Sequence, residues 1–131
     1  MNNDIVIPVS IGELIDKITI LEIKNENITD EDKLTNVRSE LDSLRKVMKN
    51  LVMGEAWDAS ALQDRLKAVN KDIWDAEDVI RDLDRRGEFG REFVQIARSI
   101  YRLNDARADT KRKINILSGS NIIEEKGYSP Y

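Results

Sequence analysis

Between residues 11 and 117 apolar side chains recur at alternating steps of three and four, in four blocks divided by short polar or glycine-bearing breaks. Each block predicts an amphipathic helix. In the first, Ile11, Leu14, Ile15, Ile18 and Leu21 share one broad face, and Ile20 and Ile23 carry apolar surface further around the cylinder. Such width implies more than one neighbour, in the same bundle or in another subunit. Ser10 with Glu13 forms a capping box, and Val9 with Leu14 supplies the hydrophobic staple that starts the helix there.

The second block opens at Thr29 as cap, with Asp30, Glu31 and Asp32 at the favourable end of the dipole, and runs through Leu34, Val37, Leu41, Leu44, Met48 and Leu51 to Gly54. The third carries Leu62, Leu66, Val69, Ile73, Ala76, Ile80 and Leu83 behind a Ser60–Gln63 capping box, with Trp57 covering the preceding turn and Arg85, Arg86 and Gly87 closing it. Two heptad-spaced helices joined by a short turn are expected to pair antiparallel. At ~1.5 Å per residue each is roughly 30 to 40 Å long, too long for a squat globule, so an elongated or oligomeric molecule is expected. The fold class is therefore all-α: an elongated bundle of four helices with an antiparallel heptad-spaced hairpin, a short extended N-terminal segment and an irregular C-terminal arm. Residues 1–131 read as one domain, with 1–9 extended, 10–118 helical and 119–131 an aperiodic arm. The apolar run Ile5–Val9, stopped by Pro8, suits an extended segment laid against the body or a partner.

The fourth block, Phe93 to Leu117, is irregular in an instructive way. Phe93, Ile96, Ile100 and Leu103 set the seam, Arg107 and Thr110 take its next two positions, and Ile114 and Leu117 resume it. This helix also concentrates positive charge: Arg98, Arg102, Arg107, Lys111, Arg112 and Lys113, with Tyr101, Asn104 and Asn115 between them. Two readings are open. Arginine forks with tyrosine and asparagine suit a phosphate-bearing, nucleotide-like anion, with Arg98, Tyr101, Arg102, Asn104, Arg107 and Lys111 as the ligand-binding set. Alternatively Arg107 is neutralised by a buried carboxylate, Asp16, Glu22 or Asp78, and the other charges are solvated or paired along the helix.

Composition narrows the chemistry. The chain has 21 basic and 25 acidic residues, a net charge of −4, and neither cysteine nor histidine. Bulk nucleic acid and anionic membrane are disfavoured as partners, so a bound anion must meet a local basic patch. Disulfides, thiolate nucleophiles, imidazole bases and ordinary zinc sites are removed together, and no catalytic residue, metal or cofactor is assigned. One metal-based alternative uses Glu22 and Glu26 with Glu77, Asp78 and Asp82 as magnesium ligands, loosely as in all-α nucleotide pyrophosphohydrolases. The N-terminus lacks the basic region and apolar run of a signal peptide, and no apolar segment reaches spanning length. A cytoplasmic protein is expected, in the host cytoplasm if the source is a phage.

Four stretches, IPVSIGELIDKITILEIK (7–24), KLTNVRSEL (33–41), IWDAEDVIRD (73–82) and Phe93 to Tyr128 with its ARSIYRLNDARADTKRKIN and EEKGY runs, together resemble a family of short bacterial and phage proteins known only as a domain of unknown function. The resemblance covers most of the chain and implies no activity. It places Arg98, Tyr101, Asn104, Asp105, Arg107 and Lys111 within the most recognisable part of the family pattern. The expected function is a non-enzymatic homo-oligomer that sequesters a small nucleotide-derived ligand, similar in concept to phage proteins that soak up nucleotide immune signals. The alternatives are a protein-interaction module docking through its first helix, for example in surface-glycan synthesis, and the magnesium-dependent hydrolase.

Overall fold

A computed structural model describes residues 3–54, 57 and 59–131, apart from the side chains of 59 and 60. Four helices make up the body: α1 (Ile11–Asn27), α2 (Glu31–Lys49), α3 (Ala59–Arg85) and α4 (Arg91–Ser118). The all-α bundle expected from the periodicity is present, and no strand occurs among the described residues. Four of the helix ends have a clear local cause. Ser10 Oγ accepts from the Glu13 amide to start α1, and Asp30, not Thr29, caps α2 by accepting from the Lys33 amide. At the end of α3, Gly87 sits at φ 69°, where a side chain would be strained, and the Glu88 amide reaches back to the Leu83 carbonyl at 2.9 Å. Gly119 at φ 75° closes α4 in the same manner, with the Ser120 amide on the Asn115 carbonyl. The proposed Ser60–Gln63 capping box lies outside the described residues.

α1 is the helix the others share, packing against α2, α3 and α4. Its broad apolar face is spent on two cores. Leu14, Ile18 and Leu21 meet Val37 and Leu41 of α2, while Ile15 meets Leu66 of α3 and Ile114 of α4, with Trp57, Ile11 and Leu62 packed around them. Trp57 thus packs over the base of α3, as its place in the turn implied. The expected α2–α3 hairpin is not formed. α2 lies along α1, and among the described residues neither α3 nor α4 packs along it. The antiparallel hairpin is instead α3 with α4, joined by residues 86–90, so that Leu66 near the start of α3 contacts Ile114 near the end of α4. A heptad seam specifies that a helix will be covered, not by which neighbour. The doubled face of α1 takes both seams and keeps α2 and α3 apart.

α1 crosses only the base of the hairpin. Gly12 permits the closest approach, since a Cβ there would stand 2.7 Å from the Lys111 carbonyl and 2.8 Å from Asn115 Oδ1. Beyond Asn70 and Arg107 the two hairpin helices run on without a third layer among the described residues. Ile73, Ile80, Phe93, Ile96, Ile100 and Leu103 are only partly buried there, although Leu83 is enclosed at the tip. Residues 3–9 have no regular structure and leave Ile5 and Val6 about 90% exposed (89% and 91%), so these apolar side chains are not buried against the body.

Candidate functional site

The interruption in the α4 seam meets its counterpart on α1. Asp16 is 0% exposed in the middle of α1, a position where a carboxylate is stable only if fully partnered. Arg107 supplies most of that. Its Nε lies 3.0 and 3.2 Å from the two Asp16 oxygens, and its terminal nitrogen donates to Asp16 Oδ2 as well. Asn70 on α3 donates to Asp16 Oδ1 at 2.8 Å and to Thr19 Oγ1 at 3.0 Å. The hydrogen bond to Asp16 raises the Arg107 pKa above its already high value, against the opposing effect of burial. Thr110, the other polar seam residue, is buried and bonds the Ala106 carbonyl of its own helix at 2.8 Å. Asp16, Asn70 and Arg107 therefore tie three helices through one carboxylate. This is the ion-pair reading of Arg107, with Asp16 as the partner among the three candidates.

One turn further along, Lys111 is 14% exposed and lies among three carboxylates, two from α1 and one from the C-terminal segment: Glu13 at 2.5 Å, Asp16 at 3.9 Å and Glu124 at 3.6 Å. Asn115 follows on the same face. Its Oδ1 accepts the Gly12 amide at 2.6 Å, which fixes the orientation of the side-chain amide. Its Nδ2 is buried, with no hydrogen-bond partner among the described residues.

The aperiodic C-terminal residues cross this face of α4. Glu124 accepts from Ser10 Oγ, Arg112 donates to Glu125, and Lys126 pairs with Asp105. The final residue, Tyr131, sets its ring 5.1 Å from that of Tyr101 and 5.0 Å beneath the Arg102 guanidinium. Between α4 and this segment lies a groove of about 920 Å³, lined by Tyr101, Asn104, Lys111, Asn115 and Tyr128 among others. That volume is in the ~300–1,000 Å³ range of small-molecule sites. Three cations, Lys111, Arg112 and Lys126, line it against four carboxylates, Asp105, Asp109, Glu124 and Glu125.

The six residues singled out from the sequence are thus divided. Tyr101, Asn104 and Lys111 line the groove; Arg102 stacks on Tyr131 at its edge; Arg98 stands beside the Tyr101 hydroxyl; Arg107 turns to Asp16. Hydrogen bonding to Arg98 first, and then to Arg102, lowers the pKa of the exposed Tyr101 phenol from its ordinary 10.0. The sequence reading did not single out Asn70, Glu124, Glu125, Lys126, Tyr128 or Tyr131. The acidic pentad does not converge: Glu22 bonds Arg45, Glu26 bonds Lys67, Glu77 bonds Arg81 and Asp82 bonds Arg85 and Arg86. Among the described residues no group of three metal-ligating side chains is gathered, and no helix is long and apolar enough to cross a membrane.

The chain that frames this face, from before the Ser10 cap through the EEKGY run, matches one family model over residues 5–131. The chain belongs to the family of unknown function DUF6165. The match takes in all four helices and the C-terminal segment, so the groove and the residues that cover it lie within the family's extent. No curated protein and no solved structure matches the chain.

Proposed function

We propose that this DUF6165 member is a non-enzymatic binding protein for a small phosphate-bearing, nucleotide-like ligand, held on α4 at the groove beneath the C-terminal segment. One observation carries the reading. The C-terminal segment presents to α4 the groups such a ligand would present: carboxylates at Lys111 and Arg112, and an aromatic ring on Tyr101 and Arg102. Phosphate oxygens would replace Glu124 and Glu125 at those cations and accept from the unpartnered Asn115 Nδ2, and a base would replace Tyr131. The segment is held through exposed side chains and few backbone bonds, so exchanging it costs little buried area. Sequestration without turnover suits a face that gathers donors and rings.

Equilibrium titration with a panel of AMP, ADP, ADP-ribose and a cyclic dinucleotide tests this. The expected result is affinity better than millimolar for at least one probe, tightened in Glu124→Gln/Glu125→Gln and lost in Arg112→Ala/Tyr101→Ala. No affinity in either the parent chain or the Glu124→Gln/Glu125→Gln chain would refute it.

A second reading, a protein-interaction module, draws on the exposed Ile5, Val6 and Ile7. The apolar face of α1 is already covered by α2, α3 and α4, so the N-terminal segment is what such a partner would meet. A stoichiometric co-purifying partner that is lost in Ile5→Asp/Ile7→Asp would favour it over the ligand reading.

A further inference from the structure

The free half of the α3–α4 hairpin has the makings of half a bundle. A helix stripe is stable when buried against another layer, and two helices alone leave one side of their shared seam open. On that side a groove of about 560 Å³ runs between the helices, floored by Ala76, Val79, Ile96 and Leu103. Its rims differ in charge. Asp72 and Asp75 stand on the α3 rim and Arg102 on the α4 rim. The asymmetry extends along the helices: residues 71–86 hold six acids against four bases, whereas 91–106 hold three bases against two acids.

The accessible surface also exceeds what a compact chain of this mass would expose. It is 9210 Å², against the roughly 7,100 Å² given by the scaling for a monomer of 15.1 kDa. The exposed terminal segments account for part of the surplus, and the uncovered hairpin for another. A standard interface removes ~800 Å² from each partner. The open stretch of α4 from Arg91 to Arg107, at ~1.5 Å per residue, gives an unpartnered face roughly 24 Å long.

We infer that the occupant of this face is a second copy of the chain. A twofold axis along the hairpin lays α3 on the α4 of the second copy, so that each helix gains an antiparallel neighbour and the two hairpins close into a four-helix bundle. The same operation sets the acidic α3 rim against the basic α4 rim twice, once on each side of the axis. Like rims would meet if α3 faced α3, and that arrangement is disfavoured by charge. Val79 and Ile96 become central contacts, and the partial burial of Leu103 is completed. The placement deepens the homo-oligomer expected from the sequence, and the one residue it shares with the ligand reading is Arg102, which also stacks on Tyr131.

Sedimentation equilibrium of the full chain over roughly 1–100 μM tests it, because a specific interface of this size holds in that range. The expected result is a dimer whose dissociation constant rises at least ~100-fold, the equivalent of ~2.7 kcal/mol, in Val79→Arg with helical circular dichroism unchanged. A second pair of chains, altered only at exposed rim charges, checks the pairing. Asp72→Lys/Asp75→Lys and Arg102→Glu should each dimerise weakly alone, yet form the mixed dimer together. A parent chain monomeric throughout, a Val79→Arg chain that dimerises like the parent, or rim variants that fail to prefer each other would each overturn the inference. Nucleotide titration of the Val79→Arg monomer keeps the two proposals apart: ligand affinity retained without dimer leaves the site reading standing, and a dimer without affinity leaves this one.

Discussion

The two halves of the α3–α4 hairpin are built from similar helices and end in different states. At the base, α1 supplies a third layer, and polar side chains are drawn into it: Asp16, Asn70, Thr110 and Asn115 are all at least nine-tenths buried. In the free half, the seam is more regularly apolar and yet less buried, with Ile73, Ala76, Ile80, Ile96 and Ile100 only partly enclosed. Burial here follows the number of layers and not the hydrophobicity of the stripe. A polar residue at a three-layer contact becomes a clasp, because its hydrogen bonds select one register among helices that apolar packing alone would let slide. An apolar residue at a two-layer contact remains a surface, available for something else to cover.

Substitutions should separate the halves sharply. The largest effect is expected from cutting the clasp. Arg107→Ala leaves the enclosed Asp16 carboxylate with Asn70 as its nearest partner, and breaking a buried pair from one side costs about 3–5 kcal/mol. Since Arg107 keeps a partly exposed edge (side chain 31%), the lower end, about 3 kcal/mol, is expected from urea unfolding. Asp16→Leu/Arg107→Met, which removes both charges, should recover much of that loss.

Next in size, Leu66→Ala, at a fully enclosed position, should cost about 2–5 kcal/mol, whereas Ile96→Ala in the free half should cost well under half as much in the monomer. Calorimetric unfolding of the two variants at concentrations below dimerisation checks this. Equal costs would mean that the free half is already as well packed as the base.

The glycines give a third contrast. Gly12→Ala must displace the Lys111 carbonyl or the Asn115 side chain, and about 1–3 kcal/mol is expected. At Gly90, where nothing lies within 4 Å of an added Cβ, Gly90→Ser provides a better helix cap and should change stability by less than about 0.5 kcal/mol. Denaturant midpoints of both variants supply the comparison.

The smallest effect concerns pH. The hydrogen bond to Glu26 raises the Lys67 pKa above 10.5. A raised folded-state value means that the contribution is complete below the unfolded pKa and is lost as pH climbs through the folded one. Stability from this pair should therefore be flat from neutrality to about pH 10 and decline only beyond. Glu26 is half exposed and Lys67 a third exposed, so the decline should be under about 1 kcal/mol, and Lys67→Met should abolish it.

Much of this arrangement was legible in the sequence. The Ser10 cap, the Gly87 stop and the four periodic blocks located the helices, because those signals act within a few residues of where they are written, although α2 ends at Lys49, short of Leu51 and Gly54. The polar gap at Arg107 and Thr110 marked a place where α4 could not be packed by apolar contact alone, and Asp16 was among its possible partners. Which helices pair was not legible, since the seams of α2 and α3 are equally regular and the decision lies with the two-sided face of α1. The covering of α4 by residues 124–131 was hidden for a different reason. An irregular segment has no period, and its contacts are made by single charges and rings that look the same when solvated. Asn70 and Asn115 left a faint trace: each follows a buried apolar residue, Val69 and Ile114, at the border of a seam, where an amide must find partners.

The comparison bears on function through what crosses α4. At the base, its cations are met by α1 and by the chain's own C-terminal carboxylates, the latter on a segment whose residues 121–131 are all exposed. The most direct test is isothermal titration of the nucleotide panel into the parent chain and into Glu124→Gln/Glu125→Gln under identical salt. If those carboxylates occupy a phosphate site, a probe binds the parent better than millimolar and the double variant at least several-fold tighter, the gain shrinking as salt rises. Equal affinity in both chains, or none in either, would contradict a ligand site on this face of α4.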